Sequence, residues 1–166
     1  MSPRRMERIC TFHLGSQLFG IDVAMVQEIL VTQVITPVPL AAPSILGVIN
    51  LRGQIVTVID LRRRLELPER TADANPIHIV VRTERELVSF LADRAGDVLD
   101  VDADAFEKAP ETLRGAAREI IVGAYKLSST LLLVLDPERA AAVEPTMVAA
   151  AASEDPGAGS ADRGGA

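Results

Sequence analysis

The sequence contains few of the residues on which most enzymes and metalloproteins depend. Its 166 residues include one cysteine, Cys10, two histidines, His13 and His78, and no tryptophan. A single cysteine excludes an intramolecular disulfide and a cysteine-rich zinc site. Nucleophiles and general bases are scarce, and neither a phosphate-binding glycine loop nor a nucleophile elbow is present. The sequence therefore predicts a protein that is not an enzyme and that holds no metal or cofactor.

Charge and hydropathy exclude two further classes of protein. The net charge of −6 argues against a nucleic-acid binder, which would need a basic surface. No apolar run approaches the about 20 residues that cross a membrane, and residues 1–8 form a polar segment unlike a signal peptide. Because 48% of the residues are hydrophobic, the chain can bury the core of one domain or two small subdomains. We expect a globular, cytoplasmic protein with no nucleic-acid partner and no membrane insertion.

The stretch ILGVINLRGQIVTVIDLRRRL is the most informative part of the chain. Residues 45–51 and 54–59 are β-branched, apolar runs typical of strands, and Arg52 and Gly53 between them form a turn in which glycine supplies positive φ. Asp60 follows with the side chain of a helix N-cap. The stretch therefore predicts a β-hairpin and a short helix, and we expect substitution of Gly53 to damage folding.

The same pattern occurs a second time near the end of the chain. Gly47 aligns with Gly123 and Asp60 with Asp136 at one constant offset, without a gap. Matching glycines, apolar positions and helix caps predict a duplicated structural unit. The turns differ, because the second copy has two serines where the first has Arg52 and a glycine. A turn does not require an arginine, so the comparison predicts a functional role for Arg52.

The rest of the chain predicts short strands separated by turns and loops. Further strands are expected at residues 8–14, 18–21, 28–31, 77–82, 87–92, 97–101 and from 119. The polar segment 68–76 is bounded by prolines and predicts a structureless loop and an internal boundary. Residues 144–166 are rich in small residues and predict a disordered tail. Two halves, each with about five strands and a terminal helix, predict a mainly β protein of two small five-stranded barrels.

Acidic residues in the second half have the spacing of a calcium loop. Asp100, Asp102, Asp104 and Glu111 occupy its first, third, fifth and twelfth positions. The sixth position, where the sharp turn needs glycine, is Ala105, and a strand precedes the run in place of a helix. We therefore expect these acidic residues to be solvated and to bind no calcium.

Several other residues receive a structural interpretation. Cys10 and Phe12 fall on the same face of a predicted strand, so both are expected in the core. His13 falls on the opposite face and is expected to be exposed, whereas His78 is expected to pack, partly buried, within an apolar strand. The arginine run 62–64 is expected to form the solvated face of a helix.

Taken together and in order, five motifs resemble the CheW family of chemotaxis coupling proteins over residues 9–143. They are FGIDVAMVQEIL, ITPVP, ILGVINLRGQIVTVIDLR, DVLDVDADAFE and LLLVLD. The resemblance implies two SH3-like barrels packed side by side. It also implies a non-enzymatic adaptor that joins the cytoplasmic tips of chemoreceptors to the histidine kinase CheA in membrane-associated arrays. The same scaffold could serve a pathway that controls surface motility or a second messenger, since both outputs use the same contacts.

The resemblance further implies two binding sites. The residues that match the receptor-binding site, a groove between the barrels, are Val26, Glu28, Gly47, Asn50 and Arg52. Those that match the kinase contact are Val34, Ile35 and Thr36. From the residues themselves, Glu28 and Arg52 are expected to form a surface ion pair that orients Arg52 toward a partner. Gly47 is more simply explained by backbone geometry.

Overall fold

The structure is a computed structural model that describes residues 3–143. The predicted tail at 144–166 lies outside the described residues. Within the described part, most of the regular structure is β-strand, and the helices are short. The strands are β1 (Met6–Leu14), β2 (Gln17–Asp22), β3 (Val26–Leu30), β4 (Ile45–Leu51), β5 (Gln54–Asp60), β6 (Ile77–Arg82), β7 (Leu87–Ala92), β8 (Arg94–Asp102), β9 (Glu107–Lys108), β10 (Ile121–Lys126) and β11 (Leu131–Leu135). The helices are α1 (Leu61–Arg64), α2 (Gly115–Ile120) and α3 (Pro137–Ala141).

The strands form two sheets, each of which closes into a small barrel. The six-stranded sheet has the order β8-β1-β2-β11-β10-β9, and the five-stranded sheet has the order β3-β6-β7-β5-β4. In the first sheet, the chain beyond β8 returns as β9 to pair with β10. In the second, the chain beyond β3 returns at Thr36, whose N–H and C=O pair with Val48 of β4 at 2.8 and 2.9 Å. The predicted mainly β fold with two SH3-like barrels is confirmed.

The two copies of the repeated pattern have the same structure. In each hairpin, β4–β5 and β10–β11, the strand register shifts by one residue just before the matching glycine, Gly47 or Gly123. Asp60 and Asp136 cap the following helices α1 and α3 through their carboxylates. The second strand of each hairpin also pairs in parallel with a strand of another hairpin, β5 with β7 and β11 with β2. The shared geometry supports a duplicated unit.

The predicted boundary at residues 68–76 is wrong. Strands β6 and β7 lie beyond it in sequence, yet they belong to the five-stranded sheet with β3, β4 and β5. The chain passes between the sheets after β2 and again after β7. In sequence, the segment that forms the five-stranded barrel is therefore inserted between the two segments that form the six-stranded barrel. Local sequence patterns predicted the hairpins but not the long-range parallel pairing of β2 with β11.

Apolar side chains form one cluster between the sheets and one inside each barrel. The inter-sheet cluster includes Phe12, Phe19 and Ile121 from the six-stranded sheet and Ile59, Ile79 and Phe90 from the five-stranded sheet. The cluster within the five-stranded barrel includes Ile49, Val56, Val58 and Val80, and that within the six-stranded barrel includes Ile9, Leu18, Tyr125 and Leu132. Because the inter-sheet cluster draws on both sheets, burial of its apolar surface holds the barrels together.

The polar residues interpreted as structural lie at different depths. Cys10 is buried as predicted, and burial raises the pKa of its thiol. His78 is 2% exposed, more buried than predicted, and its Nδ1 lies 2.9 Å from Ser89 Oγ. The prediction for His13 is wrong, since this residue is half-buried and its Nδ1 is buried without a hydrogen-bond partner among residues 3–143. His13 pairs with Arg94 of β8, beyond a bulge in that strand, and the alternation of residues along β1 does not show what lies opposite it.

Stability is expected to fall as the pH drops below neutrality, because burial lowers the pKa of His78 from its usual 6.5. The unfolded chain then binds a proton that the folded protein excludes, so the contribution of His78 is present above pH 6.5 and is lost as the pH falls through the folded pKa. Urea unfolding at pH 7.5 and 5.5, two values about one unit either side of the histidine pKa, measures the loss. The loss should shrink in His78→Gln, and a remainder should persist there because burial and the charge of Arg94 also lower the pKa of His13. Equal pH dependence in wild type and His78→Gln would contradict the assignment.

The arginine run 62–64 is a solvated face only at Arg63, because Arg62 and Arg64 are half-buried and each arginine anchors a different segment. Arg64 donates hydrogen bonds to the carbonyls of Ala140 and Arg139 at 3.0 Å, near the end of α3. Both carbonyls belong to the last turn of α3, where backbone partners run out, although the Arg139 carbonyl also accepts a hydrogen bond from Ala142 N at 3.2 Å. Arg63 donates to the Pro43 carbonyl at 3.0 Å, and Arg62 binds a carboxylate beyond β7. The sequence places these arginines on a helix but does not show which residues they contact.

Asp93 occupies an ionic junction where the chain leaves the five-stranded sheet for the six-stranded one. Its Oδ1 accepts hydrogen bonds from Arg62 Nε at 2.9 Å and Arg70 Nε at 2.8 Å, and its Oδ2 accepts one from Gly15 N at 2.6 Å. Arg70 Nη1 also binds Asp60 Oδ1 at 2.7 Å. Burial would raise the pKa of Asp93, but the hydrogen bonds from Arg62 and Gly15 and the arginine charges lower it from 3.8 to about 2. The junction therefore ties turns of both sheets through one carboxylate.

Candidate partner-binding site

The β4–β5 turn has a backbone that disfavours the arginine it carries. Arg52 and Gly53 both have positive φ, at 51° and 87°. Glycine adopts this region at no steric cost, but an arginine there brings its Cβ close to the backbone. Asn50 stabilises the turn, because its Oδ1 accepts a hydrogen bond from Gly53 N at 2.8 Å. The turn thus tolerates Arg52 without needing it, which agrees with the comparison of the two copies.

The expected damage from substituting Gly53 is smaller than the sequence suggested. A Cβ at this position would meet nothing within 4 Å. Only the positive φ opposes substitution, at a cost of about 1 kcal/mol. The sequence showed the need for positive φ but not the open space around the turn.

Glu28 and Arg52 form the ion pair that the sequence predicted. Arg52 Nη1 and Nη2 each lie 2.7 Å from one carboxylate oxygen of Glu28, in the parallel geometry of a bidentate pair. The hydrogen bond from Arg52 lowers the pKa of Glu28. The Arg52 side chain is 69% exposed, whereas that of Glu28 is 21% exposed. Glu28 therefore holds the guanidinium in one orientation at the surface, with its outer edge open to a partner.

Two exposed apolar side chains that the sequence did not single out lie on strand β3 and on the β4–β5 hairpin, the elements that carry this pair. Ile29 follows Glu28 on β3 and is 41% exposed, and Ile55 lies opposite Asn50 in the hairpin and is 63% exposed. Val26, predicted at the same site, is half-buried and packs against the inter-sheet cluster. The exposed isoleucines resemble ordinary strand residues in sequence, because strand edges and faces cannot be told apart without the pairing.

Gly47 lies beneath the segment that was predicted to contact the kinase. It is buried, its φ is 150°, and a Cβ there would meet the Thr36 carbonyl and the Pro37 Cα. Gly47 therefore offers no side chain to a partner but leaves space for Thr36 to pair with Val48. The structure brings residues predicted for the two binding sites into direct contact, and Gly47 positions the one against the other.

The segment 31–36 presents valines to solvent. Val34 is 87% exposed and Val31 is 70% exposed, whereas Ile35 packs against the cluster within the five-stranded barrel. Thr36 is held in its bridge to β4. Exposed valines on a segment fixed by an inward isoleucine and a backbone bridge form an ordered apolar surface suited to protein contact.

The calcium-like acidic run has other roles in the structure. Asp100 accepts a hydrogen bond from Arg8 Nε at 3.2 Å, and Asp102 caps the next turn through Asp104 N at 2.9 Å. Between residues 3 and 143, no group of three or more histidine, cysteine or acidic side chains could hold a metal ion. Within the described part of the chain, no helix is long and apolar enough to cross a membrane.

Two closed barrels, an oriented surface arginine and an exposed apolar segment define a β-barrel module for binding other proteins. Comparison with known proteins then gives the family. Residues 8–144 match the family model described as the CheW-like domain, and the chain belongs to the CheW family.

Individual relatives agree with this assignment. The chain is 37% identical over 131 residues to "Chemotaxis protein CheW" of Bacillus subtilis, covering 78% of this chain and 83% of the relative. It is 30% identical over 133 residues to the protein of the same name from Treponema pallidum, covering 78% of each. Among solved structures, scaffolding protein TtCheW from Thermoanaerobacter tengcongensis matches with a TM-score of 0.77 at 24% identity, over 87% of this chain and 99% of that one. This last likeness concerns the fold.

Proposed function

We propose that this protein is a non-enzymatic, cytoplasmic adaptor that couples chemoreceptors to a CheA-type histidine kinase in a chemosensory array. Family membership and the names of the relatives support a role in chemotaxis. The observation that carries the proposal is the exposed Arg52, held by Glu28 on a turn whose backbone disfavours it. A residue that strains its own backbone, and whose side chain is nevertheless held in one orientation by an ion pair, is typical of binding surfaces.

The receptor would bind at the end of the five-stranded barrel that carries Arg52. The guanidinium would donate hydrogen bonds to carbonyl or carboxylate groups at the receptor tip, since its outer edge is free. Ile29 on β3 and Ile55 on β5 add exposed apolar area on the elements that carry the ion pair, and Asn50 fixes the turn of Arg52. A charged anchor with apolar neighbours is the usual composition of a binding hot spot.

The kinase would bind at residues 34–36, through Val34, Ile35 and Thr36. Val34 is exposed and lies on a backbone fixed to β4, so its docking costs little conformational entropy. The mechanism is positional, because two partners are held at fixed places on one rigid barrel and no bond is made or broken. Array membership would bring the protein to the membrane through its receptors.

Arg52→Ala is expected to leave the fold intact and to reduce receptor binding roughly tenfold or more. Alanine also has a Cβ, so the strain of the turn is unchanged, and Arg52 contacts no buried residue through its charged group. Immobilised wild type and Arg52→Ala are incubated with native cytosol and detergent-solubilised membranes, and bound proteins are identified by mass spectrometry. Circular dichroism during thermal unfolding checks the fold.

Arg8→Ala is the matched control, because Arg8 also forms an exposed ion pair, with Asp100 at 3.2 Å. A CheA-type kinase should bind all three proteins, and a chemoreceptor should bind wild type and Arg8→Ala alone. Loss of folding in Arg52→Ala would make Arg52 structural. Recovery of neither partner with wild type would contradict the adaptor function.

A further inference from the structure

Residues 68–76, which the sequence predicted to be structureless, form an ordered strap. Arg62 Nη1 donates a hydrogen bond to the Pro68 carbonyl at 2.8 Å, and Arg63 Nη2 lies 3.1 Å from Glu69 Oε1. A turn closed by Ala74 N and the Thr71 carbonyl at 3.1 Å follows. The beginning of the strap is thus fixed to α1, and its middle has a defined shape.

Arg70 is the anchor of the strap. Its side chain is 9% exposed, although residues 71–75 after it are exposed. Its three guanidinium nitrogens bind Asp93, Asp60 and the Leu91 carbonyl at 2.8, 2.7 and 2.9 Å. Burying an arginine is costly unless its charge and donors are satisfied, and here they are. The bonds set the position and direction in which the strap leaves the ionic junction.

The other end of the strap reaches the segment that carries the exposed valines. Thr32 Oγ1 donates a hydrogen bond to Asn75 Oδ1 at 3.1 Å. The Gln33 side chain bonds only to the nearby Val31 carbonyl. Between residues 3 and 143, the hydrogen bond from Thr32 to Asn75 is the one that ties residues 31–35 to a distant part of the chain. The strap therefore supports the segment before Val34, in addition to the inward packing of Ile35 and the Thr36 bridge after it.

We propose that Arg70 is a positioning residue for the partner-binding segment 31–36. Arg70 fixes the strap at the junction between the sheets, and Asn75 at the far end of the strap holds Thr32. The segment thereby presents Val34 in one conformation. The partner involved rests on the proposed function, but the positioning itself does not.

Hydrogen–deuterium exchange of the full chain tests the positioning without any partner. Arg70→Ala and Asn75→Ala should each raise amide exchange in residues 31–36, by roughly fivefold or more, because a locally opened segment exchanges faster. Arg64→Ala is the matched control, since Arg64 also fixes backbone carbonyls but at α3, and it should leave this exchange unchanged. Asn75 is exposed and outside the junction, so Asn75→Ala decides the matter if Arg70→Ala does not fold.

Binding of the purified kinase regulatory domain gives the second measurement. Both strap variants should weaken it by roughly threefold to tenfold while receptor binding stays unchanged, because the strap does not contact Arg52. Unchanged exchange in both strap variants would overturn the positioning role. Faster exchange with unchanged kinase binding would support the positioning and overturn the assignment of residues 34–36 to the kinase.

Discussion

Asp93→Ala is expected to lower the free energy of unfolding by about 3–5 kcal/mol at neutral pH. The substitution leaves Arg62, whose side chain is 17% exposed, without the carboxylate at 2.9 Å from its Nε, and leaves Arg70, 9% exposed, with Asp60 alone. It also removes the acceptor for Gly15 N, at the turn between β1 and β2. Chemical unfolding followed by circular dichroism measures the loss.

Asp100→Ala is the matched control for this prediction. Asp100 also pairs with an arginine, but both side chains are more than half exposed, so its loss should cost less than about 1 kcal/mol. Asp93→Asn keeps the shape and one acceptor and should fall between the two. A loss for Asp93→Ala no greater than that for Asp100→Ala would show that the junction does not stabilise the fold.

The same carboxylate gives the wild type a defined acid sensitivity. Because the pKa of Asp93 is lowered from 3.8 to about 2, its contribution is complete above pH 4 and is lost as the pH falls toward 2. The shift corresponds to about 2 kcal/mol of unfolding free energy. Urea unfolding between pH 5 and about 2.5 should show this loss in wild type and not in Asp93→Asn. Parallel pH curves for the two proteins would contradict the assignment.

Gly47→Ala is expected to lower the free energy of unfolding by about 2–4 kcal/mol. The new Cβ would overlap the Thr36 carbonyl, which is backbone and cannot turn aside as a side chain can. The backbone of Gly47 also has positive φ, which adds strain. Relief of the overlap would break the bridge between Thr36 and Val48, so the kinase binding proposed for residues 34–36 should weaken as well.

Gly53→Ala separates the cost of backbone strain from the cost of the overlap with Thr36. Gly53 also has positive φ, but its Cβ would lie in open space, so its loss of about 1 kcal/mol measures backbone strain alone. Chemical unfolding of both variants gives the difference, which reports the contact with Thr36 together with the difference in backbone strain between φ values of 150° and 87°. Equal losses would mean that segment 34–36 moves away freely and that Gly47 does not position it.

The sequence predicted those features that depend on neighbouring residues. Hairpin β4–β5, its counterpart β10–β11 and the helix caps at Asp60 and Asp136 follow from apolar runs, turn residues and capping side chains within a few positions. Helix α2 was missed because Arg114 before it makes no side-chain cap hydrogen bond and the helix begins with a glycine. The insertion of one barrel within the sequence of the other was missed because it depends on parallel pairing between distant strands.

In the candidate site too, the sequence predicted some residues and missed those whose contacts depend on distant parts of the chain. Arg52 was identified because the duplicated turn offers an internal comparison, and its pairing with Glu28 is present in the structure. The contact between Gly47 and Thr36 carried no signal, since a glycine in a strand has several explanations. Arg70 resembled an ordinary loop residue because its partners are an aspartate beyond β7 and a helix cap. Those residues meet only once the sheets have formed.

The insertion of the five-stranded barrel within the sequence of the six-stranded one also sets the order in which the protein can fold as it leaves the ribosome. Strands β3 to β7 are contiguous, so the five-stranded barrel can close as soon as β7 has emerged. Hairpin β1–β2 is made before the inserted barrel, yet its parallel partner β11 is made after it. The hairpin must therefore wait with an unpaired strand edge while the inserted barrel forms, and unpaired edges invite pairing with other chains. The first strands of this protein are the ones for which we expect a nascent-chain chaperone to matter most.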